Sequence, residues 1–153
     1  MKSRTFHTES EEETIALGEK IAAELPAKAV VLLIGNLGAG KTTLAKGIAK
    51  GLGAAEPDEV SSPTFTLIHE YSASLYHIDL YRLDTLAQVA TLGLDEIFDR
   101  RAVVLIEWGE RFPELMPEDR IEILLRPTGE NSREIELRST MESSLPLEAR
   151  EPK

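Results

Sequence analysis

The chain of 153 residues contains no cysteine. That excludes a disulfide framework, a thiolate metal site and a thiol nucleophile, and it suits a reducing cytoplasm as the expected setting. No apolar run reaches the ~20 residues that a membrane-crossing helix needs, so no membrane partner is expected. The opening stretch "MKSRTFHTESEEE" has no apolar signal core, so secretion is not expected either. Positive charge is scarce. Against 27 Asp and Glu there are 17 Lys and Arg, a formal net charge of −10. A field of that sign repels nucleic acid, so contact with RNA is expected through a partner or a small basic patch. What is present is ordinary for a globular protein, 42% apolar and 29% charged. The length predicts one domain over residues 1–139. The tail from Thr140 to Lys153, rich in Glu, Ser and Pro, is expected to be mobile.

The hydrophobic pattern alternates between strand and helix. "SEEETIALGEKIAAEL" predicts a helix capped by Ser10, with Glu13 completing a capping box and Pro26 closing it. Ile15, Leu17, Ile21, Ala22 and Leu25 supply its apolar stripe. "AVVLLI" (Ala29 to Ile34) and "AVVLIE" (Ala102 to Glu107) are apolar throughout, as strands buried on both faces are. A helix is predicted from about Lys41 to Leu52, ended by Gly53. Thr66 to Tyr71 and Leu75 to Asp79 read as a hairpin. Two short helices are expected between Thr85 and Phe98, broken near Gly93. "RIEILLR" and "REIELRS" flank "PTGENS" and predict a closing hairpin with one solvated face. The expected fold is α/β, a three-layer sandwich of the P-loop NTPase type, its mixed sheet parallel at the centre and antiparallel in edge hairpins.

Chemistry enters at "GNLGAGKTT". Gly35, Gly40, Lys41 and Thr42 satisfy G-x-x-x-x-G-K-[ST]. A phosphate must approach the backbone closely, with several N–H groups turned inward, and glycines remove the side-chain obstruction. The helix that follows adds its dipole. Gly38, Ala39, Gly40, Lys41, Thr42 and Thr43 are therefore the candidate nucleotide-binding residues. Lys41 is expected on the β- and γ-phosphates and the Thr42 hydroxyl on Mg²⁺. Chance produces this pattern in so short a chain on the order of once in a few hundred cases. Its place between a buried strand and a helix makes the phosphate reading the stronger one.

Two strand-end carboxylates compete for the metal. Glu107 ends the more apolar, hence more central, strand and is favoured as the ligand. Asp79 then either orders water beside the metal or is a structural carboxylate bonded to a turn or to Arg82. His77 lies two residues from Asp79 on the same strand face and reads as a satisfied structural histidine. Trp108 is a packing residue or a lid. "SSPTF" falls where a phosphate-sensing loop could lie, although taken alone it is a plain polar turn.

Together "GNLGAGKTT", "SSPTFTLIHEY", "YHIDLYRL" and "LIEWGER" resemble the TsaE family, small bacterial ATPases needed for the threonylcarbamoyl modification of adenosine 37 in tRNA. The resemblance covers nearly everything but the tail. It implies Mg²⁺-dependent ATP hydrolysis in concert with two partner proteins that carry out the threonylcarbamoyl transfer, and tRNA as an indirect partner. Carried over by position, Lys41 binds phosphate, Thr42 and Glu107 hold Mg²⁺, and Asp79 is the carboxylate needed for hydrolysis. It further implies that Thr64 belongs to a switch-like loop and that Glu11 and Arg133 approach the adenine. Gly109, where many members carry another residue, departs from the pattern.

Other functions share the phosphate loop. A small-molecule kinase needs an acceptor pocket and usually an arginine-bearing lid; Arg82, Arg100, Arg101 and Arg111 could contribute, yet no long polar lid segment is visible. A GTPase switch would carry the guanine-reading block Asn-Lys-x-Asp, which is absent. A scaffold that merely holds ATP would have no need of the carboxylates.

Overall fold

The computed structural model describes residues 2–36, 38–61 and 67–139. The chain runs β1 (Lys2–Thr8), α1 (Glu11–Glu24), β2 (Ala29–Ile34), α2 (Lys41–Gly51), β3 (Ile68–Ser72), β4 (Leu75–Asp79), α3 (Leu86–Ala90), α4 (Leu94–Phe98), β5 (Val103–Glu107), β6 (Ile121–Pro127) and β7 (Arg133–Ser139). The strands form one sheet in the order β1-β7-β6-β2-β5-β4-β3. β2 lies parallel to β5 and β6, and β4 parallel to β5. The outer pairs β3–β4, β6–β7 and β1–β7 are antiparallel. The mixed sheet expected from the sequence is therefore present, with its parallel part where the strands are most apolar.

Helices cover both faces. On one, Leu17 and Ile21 of α1 and Leu44 and Ile48 of α2 pack onto Val31, Leu33, Leu105 and Ile123. On the other, Val89, Ile97, Phe112 and Met116 pack onto Ile78, Val104 and Ile106. The closing hairpin alternates as its sequence does: Ile121, Ile123 and Leu125 face inward while Glu122 and Leu124 are half-buried.

Four details differ from the sequence-based expectation. β1 was not foreseen. Its stretch "KSRTFHT" carries one large apolar residue, Phe6, and its main support is seven backbone pairings with β7, from Lys2 opposite Ser139 to Thr8 opposite Arg133. The first strand of the β3–β4 hairpin starts at Ile68, because Leu67 adopts φ 68° and bends the chain before it; Thr66 lies outside the described residues. The Glu13 carboxylate accepts from Glu9 N–H at 2.8 Å rather than from Ser10, while Ser10 Oγ accepts from Glu13 N–H at 3.1 Å as foreseen. In α1, Ile15 is only partly buried, and the buried stripe is Thr14, Leu17, Gly18, Ile21 and Ala22.

That stripe explains how α1 meets α2. A Cβ on Gly47 would lie 2.1 Å from the Ile15 carbonyl oxygen, and one on Gly18 would lie 2.7 Å from that of Leu44. The two backbones touch because neither glycine has a side chain. This contact, with the two-residue link from β1 to α1, brings the start of α1 over the start of α2. The Thr8 and Thr14 hydroxyls, 2.7 Å apart, close the corner.

Candidate functional site

The C-terminal ends of β2, β5 and β4 lie side by side. Glu107 is in register with Leu33 on one side and with Asp79 on the other. The two-residue period puts His77, Asp79 and Glu107 on the face that α1 and α2 cover. The loop after β2 leads into α2 at the same edge, so the phosphate motif and both carboxylates meet there. A cavity of about 510 Å³ occupies the junction, lined by Glu11, Gly38, Gly40, Lys41, Thr42, Thr43, Asp79, Tyr81, Glu107, Trp108 and Arg133.

Gly40 has φ 102°, a left-handed conformation that lets the chain turn straight into α2. Arg133 holds the loop from outside. Its Nε donates to the Ala39 carbonyl at 2.9 Å, and its guanidinium also donates to carbonyls of its own hairpin at Gly129, Glu130 and Ser132. Ala39 differs from its neighbours in lying outside the cavity lining; it is fully buried. Thr64 lies outside the described residues.

Lys41, His77, Asp79 and Glu107 are each no more than 5% exposed, an unusual density of buried polar and ionisable groups that calls for partners. Lys41 Nζ is 4.0 Å from the centre of the Trp108 ring and has no hydrogen-bond partner among the described residues. Burial lowers the Lys41 pKa, against the opposing charges of Glu107, Glu110 and Asp79. A buried ammonium without an acceptor, on a cavity that Gly38, Gly40, Thr42 and Thr43 also line, fits a phosphate. Asp79 Oδ1 accepts from Tyr81 N–H at 2.8 Å, so this carboxylate is bonded to its turn and also lines the cavity. Glu107 Oε2 lies 2.7 Å from His77 Nε2.

Trp108 sits in left-handed backbone, φ 68°, directly after β5. That turn swings its ring across the cavity, where it meets Tyr81 at 5.2 Å and Arg111 at 5.9 Å. Arg111 is already committed: it donates to the carbonyls of Leu80, Tyr81 and Leu83, tying the segment after Asp79 to the segment after Glu107. Gly109 is buried beneath this turn, where a Cβ would come within 3.0–3.1 Å of Ile106, Met116 and Leu32 side chains. Tyr81 was not foreseen as a site residue, although it stands in the block "YHIDLYRL" that carries the resemblance.

Among the described residues no group of three His, Cys, Asp or Glu side chains could hold a metal by itself. The donor set instead suits magnesium, which takes one or two protein oxygens and completes its shell with substrate phosphate and water. Thr42 and Glu107 both line the cavity and carry side-chain oxygens of the kind such an ion takes. No helix among the described residues is long and apolar enough to cross a membrane.

Comparison with known proteins converges on one group. The family model for "Threonylcarbamoyl adenosine biosynthesis protein TsaE" matches residues 8–135. A protein of Bacillus subtilis (strain 168), "tRNA threonylcarbamoyladenosine biosynthesis protein TsaE", is 42% identical over 138 residues, 88% of this chain and 85% of its own. A protein of the same description from Nostoc sp. is 44% identical over 133 residues, 82% of this chain and 80% of its own. The crystal structure of Bacillus subtilis YdiB superposes with a TM-score of 0.74 at 36% identity, covering 92% of this chain and 87% of that one.

Proposed function

The chain belongs to the TsaE family and so to tRNA threonylcarbamoyladenosine biosynthesis, and on that premise we propose that it is a magnesium-dependent ATP hydrolase that binds and resets a partner threonylcarbamoyl-transferring complex. One observation carries the reading: Lys41, Thr42, Asp79 and Glu107, from three separate elements, line one cavity at the mouth of the phosphate loop.

The loop amides cradle the phosphates, and Lys41 supplies a positive charge to them. Thr42 and Glu107 would hold the metal, which would supply positive charge to offset that of the phosphates. Asp79, anchored by Tyr81 N–H, orients the attacking water. Water oxygen bonds to the γ-phosphorus, the bond to the β–γ bridging oxygen breaks with its electron pair staying on ADP, the water's protons pass to the new phosphate and to solvent, and ADP and phosphate leave. Glu11 and Arg133 flank the cavity at the start of α1 and at the hairpin, where the base would be held. The site is read as cytoplasmic, and tRNA is reached through the partners.

The reading is tested by calorimetric titration of a non-hydrolysable ATP analogue, with and without Mg²⁺, alongside phosphate release. ATP should bind, Mg²⁺ should tighten it, and Lys41→Ala should weaken it roughly ten- to a hundredfold. Glu107→Gln should abolish the Mg²⁺ effect while keeping metal-free affinity. Equal competition by GTP, or phosphoryl transfer to a small-molecule acceptor in place of release as phosphate, would overturn the assignment.

A further inference from the structure

Of the four buried ionisable side chains Lys41, His77, Asp79 and Glu107, His77 alone does not line the cavity. Its ring is fully buried and makes a single polar contact among the described residues, Nε2 to Glu107 Oε2 at 2.7 Å. The other ring nitrogen, Nδ1, has no hydrogen-bond partner there. Tyr71 packs against the imidazole at 6.4 Å between ring centres and is itself stacked on His69 at 4.1 Å, so the ring is seated from the β3 side. An apolar side chain of similar size would fill this space without leaving a nitrogen unsatisfied. As a device for stability, the pairing of a buried histidine with a buried carboxylate is a poor one, because desolvation offsets most of the attraction. The arrangement makes sense if its purpose is the carboxylate.

We propose that His77 is a positioning residue for the metal site: its Nε2–H holds Glu107 Oε2, fixing the carboxylate so that Oε1 is presented to the cation. Two strands set the geometry. β4 and β5 are parallel neighbours, His77 is in register with Leu105, and its imidazole reaches the next residue on the same face, Glu107. Without that donor the glutamate keeps its place in the chain but loses its orientation. Removing an outer partner of a metal ligand of this kind typically costs about 10- to 100-fold in metal affinity. The inference rests on the reading of Glu107 as a metal ligand.

The test uses the full chain, Mn²⁺ as the probe and a non-hydrolysable ATP analogue, with free Mn²⁺ followed by electron paramagnetic resonance. His77→Leu should weaken Mn²⁺ binding in the ternary complex by about 10- to 100-fold. His77→Gln, whose amide N–H₂ falls near Nε2, should stay within about threefold of the parent. Metal-free affinity for the analogue should change less than about twofold in both variants. Wild-type Mn²⁺ affinity in His77→Leu, failure of His77→Gln to restore it, or parallel loss of metal-free nucleotide binding would each overturn the proposal. In the unsubstituted chain, ¹⁵N histidine spectra should show a slowly exchanging proton on Nε2 of His77; a proton on Nδ1 alone would overturn it even if the leucine variant failed to fold. Glu107→Gln separates the two layers. If that variant keeps normal Mn²⁺ binding, the metal-ligand reading itself fails. If it loses Mn²⁺ while His77→Leu does not, only the role of His77 fails.

Discussion

At the scale of single residues, the site gathers charges that must be compensated. Asp79 is held by the backbone of its own turn while facing the cavity. Asp79→Asn is therefore expected to leave nucleotide and Mg²⁺ affinity within about threefold and to slow phosphate release by roughly 10² or more. Single-turnover measurement with bound ATP would check it, and loss of the metal instead would exchange the roles of Asp79 and Glu107. Glu110 is different. It is half-buried, and Oε1 has no hydrogen-bond partner among the described residues. Burial raises its pKa above the ordinary 4.5, the Glu107 charge adding to the effect and Lys41 and Arg111 opposing it. The folded chain thus binds this proton more tightly than the unfolded one. Its contribution to stability is present below pH 4.5 and is lost as pH rises through the folded pKa. Glu110→Gln is expected to make the fold more stable than the parent at pH 7, where the glutamate must be charged in a half-buried place. The gain should shrink toward zero near pH 4.5, the ordinary value. Urea unfolding at both pH values measures the difference.

At the scale of elements, α1 is placed both by its apolar residues on the sheet and by close backbone contact with α2. Gly47 admits the Ile15 carbonyl so closely that any Cβ would overlap it. Gly47→Ala must push α1 away and is expected to cost about 2–3 kcal/mol, read from the urea midpoint. Because Glu11 begins α1 and lines the cavity, nucleotide affinity should fall as well. A variant as stable as the parent would show that the helices re-seat freely. The segments after β4 and β5 form a second unit, joined by Arg111 across the carbonyls of Leu80, Tyr81 and Leu83. That joint carries Trp108 to Lys41 and keeps the Asp79 turn beside Glu107.

At the scale of the whole molecule, the arginines bear on the rate of the proposed hydrolysis. Arg133 lines the cavity but is engaged with the loop carbonyls and its own hairpin, and Arg111 is committed behind Trp108. Arg100 donates to the Tyr76 hydroxyl, and Arg126 and Arg138 pair with Glu134 and Glu136. Charge developing on the γ-phosphoryl therefore lacks a dedicated guanidinium from these residues, a contribution worth 10³–10⁵ in rate where one exists. If the proposed activity holds, the isolated chain should turn over ATP far below the roughly 1–100 s⁻¹ of kinases, and the proposed partner complex should raise that rate. Phosphate release measured with and without them, alongside detection of modified tRNA, checks this; fast turnover by the chain alone would contradict it.

The local chemistry was legible in the chain itself. The phosphate motif, the apolar runs of β2 and β5 and the Ser10 cap of α1 are short-range features, because backbone conformation and hydrophobic period act over a few residues. The candidates Lys41, Thr42, Asp79, Glu107, Glu11 and Arg133 could each be named for the same reason: glycine spacing, strand ends, or resemblance. Only the tertiary structure decided what stands beside what. β1 was invisible because its support is the hydrogen-bonded edge of β7, some 130 residues away. From the sequence His77 reads as a structural histidine; the parallel pairing of β4 with β5 sets it against Glu107, its one polar contact among the described residues. Trp108 became a neighbour of Lys41 through one left-handed residue. Strand pairing and side-chain contacts between distant segments depend on the packing of the whole sheet, and no window of the sequence contains that information.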